Sequence, residues 1–142
     1  MRTDRFTLVE KPGYFSILFD QPARMFSSAP FNGGTGYCSL FINRHVGIDY
    51  DHDVESECRI FLQGNGISEI GTTITLTAAD VSKRKMYVSD DRSVFMAVTA
   101  GMSNALSIGS LGFQMPGTVN IAIVTDMPLS DSAALNLMQS TT

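Results

Sequence analysis

Basic residues are scarce in this sequence and never gather. Ten Lys and Arg stand against fourteen Asp and Glu, a net charge of −4, and the densest basic group is Lys83-Arg84-Lys85. Binding to a nucleic-acid backbone needs a basic stripe that displaces counterions. Nucleic acid is thereby excluded as a partner, and the triplet is read as a solvated turn. Long apolar runs are missing as well: no stretch approaches the ~18 apolar residues of a membrane span, and Met1-Arg2-Thr3-Asp4-Arg5-Phe6 is not followed by the apolar core of a signal peptide. These absences point to a cytoplasmic protein with no membrane partner. Cysteine occurs twice. Cys38 lies in an apolar strand pattern and Cys58 on the apolar side of a helix pattern, which suits reduced core residues and argues against a disulfide or a zinc motif. Histidine is equally rare: His45 and His52 fall with Asp49, Asp51 and Asp53 inside nine residues, at no standard zinc or calcium spacing. A solvated loop is expected there, and no metal.

What is present describes a globular chain. With 142 residues, 44% hydrophobic and 17% charged, a single domain spanning 1–142 is expected, large enough to hold a core without disulfide or metal. Much of the polarity comes from Ser, Thr, Asn and Gly. Such a surface suits a neutral, hydrogen-bonding ligand, and the same residues also serve plain strands and turns.

Strands are expected over Phe6 to Glu10 and Tyr14 to Phe19, joined by Lys11-Pro12-Gly13, then over Arg24 to Ser28 and Tyr37 to Asn43. Asp53 is placed to cap a helix whose Val54, Cys58, Phe61 and Leu62 follow one buried stripe, ended by Gly64-Asn65-Gly66. Ile70 to Leu76 alternates as a half-buried strand, Val94 to Val98 reads as a buried one, and Thr118 to Thr125 as another. Ser130 caps a final helix with Asp131 at its positive end and Ala134, Leu137 and Met138 facing inward. The class is α+β: a mixed β-sheet of about seven strands with two main helices.

Three segments deliver small hydroxyl or amide side chains from a strand into a turn. They are Ser27-Ser28-Ala29-Pro30-Phe31-Asn32-Gly33-Gly34, Thr77-Ala78-Ala79, and Val98-Thr99-Ala100-Gly101-Met102-Ser103-Asn104-Ala105. Glycines let a ligand approach backbone N–H groups, which bind an oxyanion or an amide carbonyl; tight capped turns are the plainer account of each segment. Gly101-Met102-Ser103-Asn104-Ala105 approximates a nucleophile elbow, with Ala105 in place of its second glycine. Both histidines precede Ser103, which breaks the chain order of an α/β-hydrolase triad. Ser103 is read equally as a helix N-cap.

In order and spacing these segments, with Asn43, Asp80-Val81, Gly109, Gly117-Thr118-Val119-Asn120-Ile121 and Leu129-Ser130-Asp131-Ser132-Ala133, resemble the adenosylcobinamide amidohydrolase family over about Tyr14 to Thr142. The resemblance implies hydrolysis of the aminopropanol amide of adenosylcobinamide. It implies a small-molecule corrinoid as substrate and no cofactor besides. Placed on that resemblance, Ser103 and Asn104 stand at the reacting centre, and Ser28, Asn32, Gly33, Gly34, Asn43, Thr77 and Thr99 on the substrate. No catalytic nucleophile is carried over from the family. Family members continue into a Glu- and Lys-bearing stretch and a Gly-Thr-rich strand region, so a C-terminally truncated member is expected here. A non-catalytic corrinoid-binding module and an inactive remnant are the alternative readings. A sheet edge left open by missing strands would offer a route to a homo-oligomer.

Overall fold

A computed structural model describes residues 1–47, 50, 53–101 and 118–141. The chain divides into two compact units, Met1–Leu76 and Thr77–Thr142. Among the described residues lie seven strands and two α-helices, an α+β arrangement as expected, with the strands forming a four-stranded and a three-stranded sheet.

In the first unit, β1 (Phe6–Lys11) and β2 (Tyr14–Ser27) pair antiparallel with Lys11 opposite Tyr14. Pro12 and Gly13 fill the turn between them, and Gly13 takes φ +83°, the left-handed position that a type II turn demands of its third residue. Strand β2 is one long element where the sequence suggested two strands. The register slips between Leu18 and Ala23, so Pro22, which has no N–H for the ladder, falls inside the irregularity. Asp20 is held there by a bidentate pair with Arg2, at 2.6 and 2.9 Å.

Strand β3 (Gly34–His45) pairs antiparallel with β2, and helix α1 (Val54–Gly64) connects it to β4 (Thr72–Thr77). Contacts advance in step along β3 and β4: Gly71 O accepts from Ser39 and Leu40 N–H, and farther on Thr75 Oγ1 lies 2.9 Å from Asn43 Oδ1. The two strands therefore run parallel, and α1 is the crossover that parallel strands require. Asp53 caps α1 by accepting from Glu55 N–H and Ser56 Oγ, and the Asn65 N–H closes the other end on carbonyls of the last turn. Cys58 and Leu62 enter a core with Phe31, Ile42 and Ile74, all within 3% of full burial. Removing a side chain of the size of Leu62 from water is worth about 1.5–3 kcal/mol. On the flank of α1, Glu57 accepts from both Arg44 and Tyr50. Burial, followed by the Glu57 carboxylate, pushes the Tyr50 phenol up to about 12.

The strand expected from Ile70 starts only at Thr72, because Gly71 takes φ +72° and breaks the extended run, leaving Ile70 87% exposed.

In the second unit, a 3-10 turn at Val81–Lys83 leads into β5 (Lys85–Val88), β6 (Val94–Ala100) and β7 (Val119–Thr125), antiparallel in that order. The basic triplet thus straddles a turn and a strand start. Strand β5 has no counterpart in the sequence reading: all four of its residues are exposed, so it carries no burial alternation and rests on backbone pairing with β6. Helix α2 (Asp131–Thr141) begins as expected at Ser130, whose Oγ accepts from Ala133 N–H at 3.1 Å. Ala134 is its buried residue. Cys38 and Cys58 are both free and buried.

Candidate functional site

The Gly-rich loop of the first unit is pinned to the start of β4 by Asn32. Its backbone sits in the left-handed region, φ 51°, a conformation that Asn tolerates better than most residues. The side-chain Nδ2 donates to Glu69 O at 3.1 Å and Thr72 O at 3.0 Å. Both partners are carbonyls, so the amide orientation is forced: the two N–H groups are engaged and what Asn32 offers a ligand is the acceptor Oδ1. Its backbone carbonyl accepts from Thr73 Oγ1, and the Phe31 carbonyl from Ile74 N–H.

Gly33 is required by contact. A Cβ there would lie 2.2 Å from the carbonyl oxygen of Ala29, a distance no side chain survives. Gly34 is required by conformation instead, with φ +93° and open space where a Cβ would go. Ser27 Oγ accepts from Ala29 N–H and closes the loop base, while Ser28 is exposed. Beside this loop lies a cavity of about 260 Å³, lined by Asn32 and Gly33, by Thr35, Gly36 and Tyr37 of β3, by Gly71, Thr72 and Thr73, and by Met25. Ser28, Gly34 and Asn43 do not line it. Asn43 is buried, its Oδ1 accepting from Thr75 Oγ1 at 2.9 Å.

Tyr37 is the one ionisable side chain of that lining. The cavity therefore holds by hydroxyl, amide and backbone groups, and no carboxylate, imidazole, ammonium or guanidinium side chain lines it. Burial raises the thiol of nearby Cys38 above the ordinary range, only partly offset by the Thr73 hydroxyl, which disfavours the thiolate there.

In the second unit, three of the segments singled out from the sequence meet. Ala78 N–H donates to Thr118 Oγ1 at 3.2 Å, Gly101 N–H donates to the Thr118 carbonyl at 3.0 Å, and a Cβ on Gly101 would come within 3.3 Å of Ala79 Cβ. Thr77 and Thr99 are both buried, and Thr77 Oγ1 accepts from Ala79 N–H. Thr99 faces Asn120 across the β6–β7 ladder. This junction positions Gly101, two residues before Ser103. Ser103 and Asn104 lie outside the described residues, as do Gly109, Gly117, Asp49, Asp51 and His52. Among the described residues no group of three His, Cys, Asp or Glu is placed to hold a metal.

The model of the adenosylcobinamide amidohydrolase family (CbiZ) matches residues 2–142. The chain belongs to the adenosylcobinamide amidohydrolase family. No curated protein and no solved structure matches it. The Ser, Thr, Asn and Gly segments build two hydrogen-bonding structures, the Asn32 cavity and the Thr118 junction. No described helix is long and apolar enough to cross a membrane.

The sequence reading did not find Tyr37, Thr73 or the anchoring role of Thr118. Thr118 lay within a segment already noted, but its acceptor role depends on where Ala78 and Gly101 come to rest. For Tyr37 a local signal exists: its same-face neighbours along the strand, Thr35 and Ser39, are small.

Proposed function

We propose that this chain hydrolyses the amide joining the aminopropanol arm to the corrin ring of adenosylcobinamide, yielding adenosylcobyric acid and 1-amino-2-propanol. Water supplies the hydroxyl of the new carboxylic acid and a proton to the departing amine, and the amide C–N bond breaks. The observation that carries this reading is the family match over residues 2–142, which includes every one of the segments assigned to the site. Two features support it. The Asn32 cavity is neutral and rich in hydrogen-bonding groups, as a substrate bearing neutral amides requires. The Thr118 junction holds the backbone leading into the segment of Ser103 and Asn104, which we assign to the reacting centre. Ser28, Asn32, Gly33, Gly34, Asn43, Thr77 and Thr99 serve the substrate side, directly or by shaping its loops. The corrinoid is substrate, no further cofactor is invoked, and the reaction belongs to the cytoplasm.

The absence of any carboxylate, imidazole, ammonium or guanidinium side chain among the described residues lining the cavity favours a second reading, a corrinoid-binding module without turnover. Incubation with adenosylcobinamide, followed by chromatography on charge, separates the two. A product with a new carboxylate, together with free 1-amino-2-propanol, supports the hydrolase. An absorbance shift without product, under conditions where a longer family member turns over, rejects the hydrolase and supports the binding module.

A further inference from the structure

Strand β7 is an outer strand of the three-stranded sheet, with β6 as its one strand neighbour among the described residues. Val119, Ile121, Ala122, Ile123 and Val124 make it strongly apolar, yet no residue of the strand is buried. On adjacent β6, by contrast, Phe95, Ala97 and Thr99 are at most 3% exposed.

The ladder fixes which backbone groups β7 has left over. Opposed residues of an antiparallel pair alternate between exchanging two hydrogen bonds and exchanging none. Gly101 N–H donates to Thr118 O at 3.0 Å and Asp126 N–H to Ser93 O at 3.2 Å. Between these points the register is unbroken, from Ala100 opposite Val119 to Val94 opposite Thr125. Asn120, Ala122 and Val124 therefore bond to β6, and the N–H and C=O groups of Val119, Ile121, Ile123 and Thr125 point to the outer edge.

Such an edge is a template for another strand unless it is covered, short or charged. The other sheet edges each have that protection. Met1 and Leu8 exchange backbone hydrogen bonds alongside β1, at 3.0 and 2.8 Å. Strand β4 is bridged by the loop, Ile74 N–H donating to the Phe31 carbonyl, and β5 is four residues long and starts with Lys85. Strand β7 carries neither a charge nor a proline.

We infer that β7 pairs antiparallel with β7 of a second copy of this chain, about a two-fold axis at Ala122, joining the two three-stranded sheets into one. The strand is complementary to itself in that register. Ile121 opposes Ile123 and Val119 opposes Thr125, so each residue with outward backbone groups meets another such residue. Opposed side chains share a face, which makes Ile121 and Ile123 of both copies a row continuous with Val98 and Met96 of β6. Val119, 60% exposed, meets the similarly shaped Thr125. Each copy has a net charge of −4, and this edge lets two copies meet with no like charges opposed. The pairing does not depend on the reaction proposed above.

Sedimentation equilibrium of the wild type should show a mass that rises with concentration from monomer to dimer. Ile121→Pro removes an outward N–H and keeps the bonds to β6. It should remain monomeric, with an unchanged circular dichroism spectrum. In Ala122→Cys the introduced thiols oppose each other in a pair without hydrogen bonds, where Cα atoms lie ~4.5 Å apart, within the span of a disulfide. Mild oxidation should turn that variant into a covalent dimer. Val124→Cys, whose counterpart across the axis is Asn120, should stay unlinked, and the native Cys38 and Cys58 are buried. If Ile121→Pro does not fold, the two cysteine variants decide. A wild type that is monomeric at every concentration overturns the pairing, as does a dimer that persists in folded Ile121→Pro or equal linking of Ala122→Cys and Val124→Cys.

Discussion

Thr118 Oγ1 accepts the backbone N–H of Ala78 at 3.2 Å, across 40 residues of sequence. The Thr118 carbonyl takes the N–H of Gly101, so one residue sets the spacing between the turn after β4 and the end of β6. Thr118→Val preserves the shape of the side chain and removes the acceptor. A loss of about 1–2 kcal/mol in unfolding free energy is expected from the stranded N–H, with Thr118→Ser nearly neutral. Urea denaturation of both variants measures this.

Gly33 and Gly34 are adjacent, yet they are glycines for different reasons. In Gly33→Ala the new Cβ meets the Ala29 carbonyl and the loop must move, which should lower stability by about 2–3 kcal/mol and displace Asn32. Gly34→Ala meets no atom and suffers only the left-handed backbone, about 1 kcal/mol. Thermal unfolding should rank them in that order. Equal losses would contradict the contact between Gly33 and Ala29.

Asn32→Asp tests the forced amide. It turns a donor into a carboxylate oxygen facing the carbonyls of Glu69 and Thr72. At pH 7 Asn32→Asp should be less stable than Asn32→Ala. Lowering the pH toward 4 should narrow the gap as the carboxyl gains a proton it can donate. Parallel denaturation of the two variants at both pH values decides it.

The turn between β5 and β6 contains a carboxylate with a pH signature. Ser93 N–H, then the Ser89 and Ser93 hydroxyls, hold Asp91 down at about 2. A carboxyl lowered by folding contributes stability above its unfolded value near 4, and that contribution is lost as the pH falls toward 2. Asp91→Asn should therefore be less stable than the wild type at pH 7 and converge on it near pH 2. A gap of constant size across that window, read by denaturation midpoints, rules the assignment out.

Ser103→Ala should lower turnover of adenosylcobinamide by about 10²-fold or more while leaving corrinoid binding in place. Turnover measured beside a binding titration checks both halves. Full activity in the variant would remove Ser103 from the reacting centre.

Much of this molecule is legible along the chain. Helix α1 announces itself through the Asp53 cap and the spacing of Cys58 and Leu62, the β1–β2 turn through Pro12-Gly13, and α2 through Ser130. Strand β5 is silent because its exposed side chains record no burial. The continuity of β2 through Pro22 is hidden as well, since proline marks the end of most strands and only the slipped register accommodates it here. Of the residues named from the sequence, Asn32 and Gly33 line the cavity, whereas Thr73 acquires its place there from packing.

By itself the sequence determined the α+β class, the family, the starts of both helices and the end of α1. Those depend on caps, turn dihedrals and periodicity, which act within a few residues. The tertiary structure alone decided that the Asn32 amide spends both N–H groups on Glu69 and Thr72, and that Thr118 holds Ala78 and Gly101. Backbone donors and acceptors are chemically alike at every position, so which distant pair meets is settled only when the strands between them have packed.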